Sequence, residues 1–416
     1  MLPEIQRVSR LIQICGRAAL LLPILPLPVL AMAQQAPAGT RVSIRLKSAV
    51  SSRSSKPADP VEAVVIAPAV ANGRTVIAAG AVVRGTVEKV SQSSAAGERA
   101  ALLLRFTSLE TGGDRRAIVG RVESVDNARE TVDDQGQING ILARETVSGR
   151  LDAGLGKLGE EYTGFADVLS AAKNAVFQQA STDISYPPGV EMMLLLAEPL
   201  DLPPGKTRAP APGARPFAGG AALAQRVGRE PFQTVAQRPP QPSDITNLLL
   251  VATEDALRRA FTEAGWSAAA KLNPPSKFEA VRALAEDRGY SEAPVFVLLL
   301  DGKPPDLVFE KTNNTFARRH HLRIWRRPGN LRGKPVWAVA ATHDLGIDFS
   351  EAEHTFIHRI DSQIDRERDK VVDDLLFTGR VEALDLVERP AVPRRGRNAT
   401  GDNLETDGRM AVLMLH

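Results

Sequence analysis

The chain has 416 residues, of which 43% are hydrophobic and 24% are charged, and its formal net charge is only +3. This composition is that of a globular protein, and so small a charge excess argues against a nucleic-acid-binding function. Cys15 is the only cysteine. Beyond it the chain has no thiol for a disulfide bond, a metal ligand or a catalytic nucleophile.

Residues 1–33 have the pattern of a secretory signal peptide. Several arginines precede an apolar run over residues 18–30, and Ala31-Met32-Ala33 has the form of a cleavage site. The run is shorter than the roughly 20 residues that a membrane-spanning helix needs. We expect cleavage before Gln34 and export to the periplasm or cell envelope, with no transmembrane segment afterwards. The alternative is an uncleaved N-terminal anchor.

Residues 34–200 are predicted to form an all-β barrel or sandwich. Polar and apolar residues alternate over Arg41–Leu46, as in a half-buried strand. Glycine-containing turns open both this segment and Glu191–Leu196, so we expect the two ends of the region to pair. Further predicted strands are Val61–Ile66, Thr75–Ala78, Val82–Val87, Ala101–Phe106, Ala117–Val122 and Met192–Leu196.

Four of these segments resemble, in order, the TrbI-like β-barrel of type IV secretion outer-membrane complexes. They are Pro37–Leu46, Ser51-Ser52, Val61–Ile66 and Ala79–Val87. The resemblance implies a β-barrel fold and is not extended to a secretion function. The partner expected of the chain is an envelope protein or an anionic ligand. Residues 165–179 depart from the pattern and predict a helix inserted between strands.

Residues 201–243 are predicted to be a basic linker rich in Pro, Gly and Ala. Nine prolines in this range leave little room for a periodic element, which favours a semi-extended spacer. Contact with an anionic lipid or polymer is the alternative.

Residues 244–416 are predicted to form a second domain of α+β type. Thr253 begins a helix that runs to Gly265 and has one apolar face. Further helices are predicted over residues 277–287 and 361–377. The predicted strands are residues 247–251, 295–300, 307–311, 320–325, 336–341, 381–386 and 411–415.

Five of the six histidines fall between His320 and His358, which locates the candidate site. On the strand Arg319–Trp325, alternation places His320 on one face and His321, Arg323 and Trp325 on the other. The His320 face is interpreted as core. The other face is interpreted as a polar surface with an aromatic wall, suited to a ligand, although a solvated face is equally consistent with the pattern.

The helix over residues 361–377 is expected to supply the opposite wall of this pocket. At about 100° per residue, Arg368 lies on its apolar arc together with Asp361, so the guanidinium should have a carboxylate partner. Asp361 or Asp365 is within reach. One interpretation is a structural ion pair with Asp361 as N-cap. In the other, His358, Asp361, Asp365 and Asp369 line a pocket facing His321 and Arg323, with His343 at a strand end beside it.

Metal binding is a further alternative. Imidazoles and a carboxylate from His321, His358 and Asp365 would suit a divalent ion, and the same residues would then be catalytic in a metal-dependent hydrolase. No His-Glu-x-x-His motif, phosphate-binding loop or Gly-x-Ser-x-Gly elbow is present in the sequence.

The C-terminal region resembles the LssY C-terminal-domain family over about residues 244–416. The matching segments include Asn247–Val251, Asp306–Lys311, Arg319–Trp325, Val336–Thr342 and Asp365–Asp369. The resemblance supports the site's location and implies no defined activity. The leading hypothesis is therefore an exported envelope protein that binds a phosphate-bearing or other anionic ligand through His, Arg and Asp. The alternatives are the hydrolase and a structural component of an envelope assembly.

Overall fold

The structure is a computed structural model that describes residues 34–71, 74–93, 97–146, 181–202, 215–217, 220–237, 240–269, 297–315, 317–350 and 355–416. The predicted signal peptide and the helices predicted over residues 165–179 and 277–287 lie outside the described residues.

The N-terminal half is built from strands, most of them short. They are β1 (Gln34–Ala36), β2 (Arg41–Leu46), β3 (Val50–Ser51), β4 (Pro60–Val65), β5 (Ala69–Ala71), β6 (Arg74–Ile77), β7 (Val82–Ser91), β8 (Ala101–Thr111), β9 (Asp114–Val125), β10 (Thr131–Val132), β11 (Gln137–Asn139), β12 (Ser185–Tyr186), β13 (Glu191–Leu196) and β14 (Leu200–Leu202). A 3-10 turn at Ala143–Glu145 lies between β11 and β12.

Six of these strands close into a barrel. The order is β8-β7-β4-β2-β13-β9, and β9 pairs again with β8 to complete the ring. Strand β2 pairs antiparallel with β13, with Val42 opposite Leu194. This confirms the predicted barrel and the pairing of the region's two ends. Alternate residues of β2 are buried in the barrel core, because successive side chains of a strand point to opposite faces.

The barrel is tightly closed where β7 meets β8. The register shifts after Arg84, and a Cβ atom on Gly85 would lie 1.9 Å from the carbonyl oxygen of Arg105. Only glycine lets the two backbones approach this closely.

The C-terminal half combines strands with three described helices. The elements are β15 (Arg215–Pro216), α1 (Gly220–Gly228), β16 (Gln233–Gln237), β17 (Pro240–Ile245), β18 (Leu248–Val251), α2 (Glu254–Glu263), β19 (Ser267–Ala268), β20 (Leu298–Leu299), β21 (Leu307–Thr312), β22 (Arg319–Leu331), β23 (Lys334–Ser350), β24 (Thr355–Ile360), α3 (Ile364–Phe377), β25 (Val381–Glu388), β26 (Arg395–Arg397), β27 (Asn403–Glu405) and β28 (Arg409–Leu415).

The main C-terminal sheet has the order β15-β25-β28-β18-β23-β22-β21-β19, with β24 also paired to β23. Helices α2 and α3 cover one face, where Phe261 and Val371 pack with Leu322 and Ile324. Helix α2 begins as predicted, since the Thr253 hydroxyl accepts a hydrogen bond from the amide of Ala256. The α+β prediction for this half is confirmed.

The opposite face of the sheet is also covered, and this corrects the linker prediction. Residues 215–245 contain helix α1 and strands β15, β16 and β17, and the side chains of Leu223 and Val227 pack against Trp325 and other residues of that face. The prolines fall mainly between these elements or on short strands with few partners, where a missing amide donor is tolerated. Residues 203–214 of the predicted linker lie outside the described residues.

No helix among the described residues is long and apolar enough to cross a membrane.

Candidate functional site

Strand β22 carries functional groups on both faces of the C-terminal sheet. Its register with β23 places His320 opposite His343, and Arg319 opposite Asp344. The predicted alternation is therefore present, with His320 on the α3 side and His321 on the other. Both faces are buried, however, and His321, Arg323 and Trp325 are at most 5% exposed. The expectation of a polar open surface was wrong because α1 and β17 cover that face.

On the covered face, Asp344 is the centre of a buried charge cluster. One of its carboxylate oxygens lies 3.1 Å from Nε of Arg319 and 3.0 Å from Nδ1 of His358. The other oxygen lies 3.4 Å from Nδ1 of His321, whose Nε2 is 2.7 Å from the hydroxyl of Thr342. Burial opposes ionisation of Asp344, but the neighbouring imidazoles and guanidinium lower its pKa. Burial also lowers the pKa of His321 well below its usual range.

The other predicted residues of this face have partners within the chain. Arg323 donates from Nη1 to Asp244 of β17 at 2.7 Å, and both side chains are buried. The indole of Trp325 donates to the carbonyl oxygen of Lys303 at 3.0 Å. A buried charge is tolerated only when it is paired. We infer that Arg323 is a structural cation.

Arg368 on α3 is likewise neutralised. It lies 3.1 Å from Asp365, 2.9 Å from Asp369 and 2.8 Å from Asp407, and its side chain is 3% exposed. Asp365 also accepts hydrogen bonds from the Thr406 hydroxyl and the Asp407 amide. The carboxylate expected beside Arg368 is therefore present.

These contacts correct the predicted catalytic and metal set. His321 and His358 meet at Asp344, whereas Asp365 is occupied by Arg368 and the turn before β28. Asp361 accepts from the amide of Gln363 just before the helix, a role close to the predicted N-cap. The sequence pattern places Asp365 within reach of Arg368 but gives no sign that the turn at residues 406–407 covers it.

On the opposite face, His320 lies between two carboxylates. Its Nδ1 is 2.8 Å from Glu367 of α3, and its Nε2 is 3.0 Å from Asp126. Its ring stacks on His343 with 4.2 Å between centroids. Burial alone would lower the pKa of His320, but Asp126 and Glu367 outweigh burial and raise the pKa to about 9. Burial and the neighbouring His320 charge lower the pKa of His343.

Asp126 comes from the barrel, which thereby completes this site. It follows β9, and the next residue, Asn127, bridges to the C-terminal sheet. The side-chain Nδ2 of Asn127 donates to the carbonyl oxygen of Lys311 at 3.0 Å, and Oδ1 of the same side chain lies 2.9 Å from Nε2 of His343. Asn313 donates in turn to the carbonyl oxygen of Asp126. The loop after β9 is therefore held over the end of the sheet from both sides.

A second barrel residue, Glu191 of β13, anchors two lysines of the C-terminal half. Nζ of Lys311 and Nζ of Lys370 each lie 2.6 Å from its carboxylate, and Arg45 of β2 lies at the same distance. Lys311 also reaches Asp374 of α3 at 2.9 Å. Burial would raise the pKa of Glu191, but the lysines and Arg45 lower it. The barrel and α3 are thus joined through buried charges.

A cleft of about 410 Å³ lies between the barrel and α3 beside these ion pairs. Its barrel side has apolar and small residues together with the carboxylates of Asp126 and Glu191, and its helix side is charged. Its lining residues are Ser43, Ile66, Ala67, Ser124, Asp126, Glu191, Met192, Met193, Arg366, Asp369, Lys370, Asp373 and Asp374.

The carboxylates of the cleft are not all neutralised. Among the described residues, Asp373 has no ion-pair partner within 4.0 Å, and Asp369 is 62% exposed beside Arg368. Burial, then the charges of Asp374 and Asp369, raise the pKa of Asp373 to about 6. A carboxyl whose pKa is raised by burial and by neighbouring carboxylates, and which lies in a cleft, is a candidate for a functional site.

Sequence reasoning missed the barrel's contribution to the site. Asp126 and Glu191 lie 194 and 120 residues away from their partners His320 and Lys311. Neither belongs to a motif, so only the pairing of the two halves brings them together. The position of Asp126 at the end of an alternating segment, followed by a turn, was the one available signal.

Comparisons with known proteins agree with this architecture for the C-terminal half. Residues 231–410 match the family model described as LssY C-terminus. No curated protein matches the sequence. Among solved structures, the chain is similar to ComB10 of the Com type IV secretion system of Helicobacter pylori, at 10% identity, over 40% of this chain and 89% of that chain, with a TM-score of 0.23. The barrel assignment rests on strand pairing alone.

Proposed function

We propose that this protein is exported to the cell envelope and binds a small, positively charged ligand in the cleft between the barrel and α3. The observation that carries the proposal is the lining of the cleft. Five carboxylates face two cationic side chains there, beside Met192, Met193 and Ile66. A cleft with an apolar wall and a few convergent charged groups is the usual form of a small-molecule site.

The charges already paired within the cleft favour a ligand with a cationic group. Lys370 is paired with Glu191 at 2.6 Å. Asp374 accepts hydrogen bonds from Nζ of Lys311 and from the indole of Trp266, at 2.9 Å each. Asp373 remains for a ligand, and Asp369, which is already paired with Arg368, adds a second carboxylate beside it. An ammonium group beside Asp373 would offset both the burial of this carboxylate and its repulsion by Asp374 and Asp369, which together raise its pKa. The apolar wall suits a short alkyl chain, and about 410 Å³ falls within the range of small-ligand pockets.

The geometry gives no comparable support for the anionic ligand expected from the sequence. Arg323 and Arg368 are bound by Asp244 and Asp407, respectively, and neither lines the cleft. At Arg323 a phosphate would have to displace the buried Asp244, which would leave that carboxylate buried and unpaired. At Arg368 it would have to compete with three carboxylates that already neutralise the guanidinium.

Binding can be tested by calorimetry and thermal melts of the full chain with 1,4-diaminobutane, with inorganic phosphate as the comparison. We expect the diamine to raise the melting temperature and the variant Asp373→Asn to lose most of this shift. The exposed carboxylate variant Asp134→Asn is the matched control and should bind as the parent does. A shift with phosphate and none with the diamine would overturn the proposal. A stable complex from envelope extracts without diamine binding would favour the assembly component instead.

Export is proposed from the charged and apolar pattern of residues 1–33 and the Ala31-Met32-Ala33 site. Expression of the full chain in a bacterial host, followed by fractionation and N-terminal mass analysis, tests it. We expect a periplasmic or envelope fraction that begins at Gln34. An intact N-terminus in the cytoplasm would contradict export without bearing on the cleft.

A further inference from the structure

The stacked pair His320 and His343, together with Asp126, has the composition of a metal site. Their strands place the two histidines opposite each other on one face of the sheet. Among the residues that the structure describes, this is the one group of at least three His, Cys, Asp or Glu side chains in which one ligand atom from each lies within 4.8 Å of the others. Two imidazoles and one carboxylate are a ligand set that divalent transition metals prefer.

The outer contacts of both imidazoles have the pattern found around metal-bound histidines. Nδ1 of His320 lies 2.8 Å from Glu367, and Nε2 of His343 lies 2.9 Å from Oδ1 of Asn127. A histidine ligand typically donates its second ring nitrogen to a carboxylate or a carbonyl, which fixes its tautomer and orientation. In addition, Oε1 of Glu367 is buried without a hydrogen-bond partner among the described residues, so this carboxylate has unused capacity.

The site is enclosed on the protein side and accessible from the cleft. The side chain of His320 is 3% exposed and that of Glu367 is 4% exposed, whereas Asp126 is 29% exposed and lines the cleft. Lys370 lies 3.8 Å from Asp126 but is held more closely, at 2.6 Å, by Glu191. Asp126 therefore remains available to a metal.

We propose that Asp126, His320 and His343 bind one divalent transition metal ion at the junction of the barrel and the LssY C-terminal domain. The ion takes the place of the proton between Nε2 of His320 and the Asp126 carboxylate, and that proton goes to solvent. Two ligands about 2.1 Å from one ion are at most about 4.2 Å apart. The three ligand atoms therefore close on the ion by small side-chain movements.

This proposal does not depend on an organic ligand in the cleft. It also differs from the set expected from the sequence, because it uses His343 and a barrel residue in place of His321, His358 and Asp365. The metal joins two parts of the chain that are otherwise joined by ion pairs and hydrogen bonds. It thereby stabilises the folded state by mass action.

The test uses the full chain without a polyhistidine tag, stripped with a chelator and titrated with Co²⁺ and Zn²⁺. Binding is followed by calorimetry, and Co²⁺ coordination by its visible d–d absorption. We expect a single ion per chain with nitrogen and oxygen ligation. The isosteric variant Asp126→Asn and the variant His343→Gln, which replaces the imidazole by a neutral amide, should abolish the spectrum. Glu367→Gln should weaken affinity by about 10- to 100-fold.

Two control variants separate this site from the others. His358→Gln changes the histidine cluster on the opposite face and should leave the Co²⁺ spectrum unchanged. Asp373→Asn should lose diamine binding but keep the metal, so the two proposals fail separately. The metal proposal is overturned if the folded parent, checked by circular dichroism, takes up neither ion. It is equally overturned if His343→Gln and Asp126→Asn, folded by the same criterion, bind Co²⁺ as the parent does.

Discussion

The raised pKa of the half-buried Asp373 carboxyl predicts how the stability of the folded protein changes with pH. Burial and the charges of Asp374 and Asp369 raise its pKa to about 6, above the value of about 3.9 in an unfolded chain. The folded protein therefore holds this proton more tightly than the unfolded one does. In consequence, ionisation of Asp373 lowers the free energy of unfolding as the pH rises from about 4 to about 6. Above about pH 6 the whole of this destabilisation is present.

Replacement of Asp373 by Asn removes this cost. A shift of roughly 2 pKa units corresponds to almost 3 kcal/mol. We reduce this to about 1–2 kcal/mol because the side chain borders a solvent-accessible cleft. Asp373→Asn should therefore be more stable than the parent at pH 7.5, by roughly 2–4 °C in melting temperature. The two proteins should be equal at pH 4, where both side chains are neutral.

Thermal melts of the metal-free full chain at pH 4 and pH 7.5 measure this difference directly. Asp134→Asn removes an exposed carboxylate and should show no such pH-dependent gain. Equal melting temperatures of parent and Asp373→Asn at pH 7.5 would refute the reasoning, because they would mean that a cation already neutralises this carboxylate. If Asp373→Asn is more stable than the parent but no longer binds the diamine, the Asp373 carboxylate lowers stability while serving ligand binding.

Three further substitutions test the buried contacts. Glu191→Gln leaves buried cations without a full partner and should cost about 3–5 kcal/mol in urea unfolding, whereas Glu123→Gln, at an exposed ion pair, should cost less than about 1 kcal/mol. Gly85→Ala forces a methyl group against a strand backbone and should destabilise the barrel by several kcal/mol, as seen by circular dichroism, while Gly228→Ala has open space and should be nearly neutral. Arg323→Met should lower the free energy of unfolding by about 3–5 kcal/mol, and much of that stability should be regained when its carboxylate partner is also made apolar. If the losses from the two substitutions simply add in that double-mutant cycle, the ion pair is contradicted.

The fold could be predicted where the sequence carries a local period. Alternation in Arg41–Leu46 and in Arg319–Trp325 gave the strands, and Thr253 gave the start of α2, because these signals depend on neighbouring residues alone. The prediction of a linker over residues 201–243 fails for the same reason: its prolines hide short elements within residues 215–245 that are stabilised by the sheet they cover rather than by their own pattern.

The candidate site was only partly predictable. The sequence located the histidines and the buried Arg368, which needs a carboxylate partner wherever it lies on the apolar arc. It could not show that β22 is buried on both faces, and that fact decides the role of Arg323. Nor could it bring Asp126 to His320, since a contact across 194 residues leaves no local signature.

The pairing of β2 with β13 has a consequence for how the protein reaches its native state. The two strands are about 150 residues apart in the chain, so this step of ring closure carries a large loop-entropy cost and should be slow relative to local hairpins. Until β13 docks, Glu191 cannot reach Lys311 of β21 and Lys370 of α3, and these two lysines remain solvated. We therefore expect the cleft to form late in folding, after the β7–β8 and β22–β23 hairpins. Before that step an unpaired barrel edge is exposed to aggregation and to proteases.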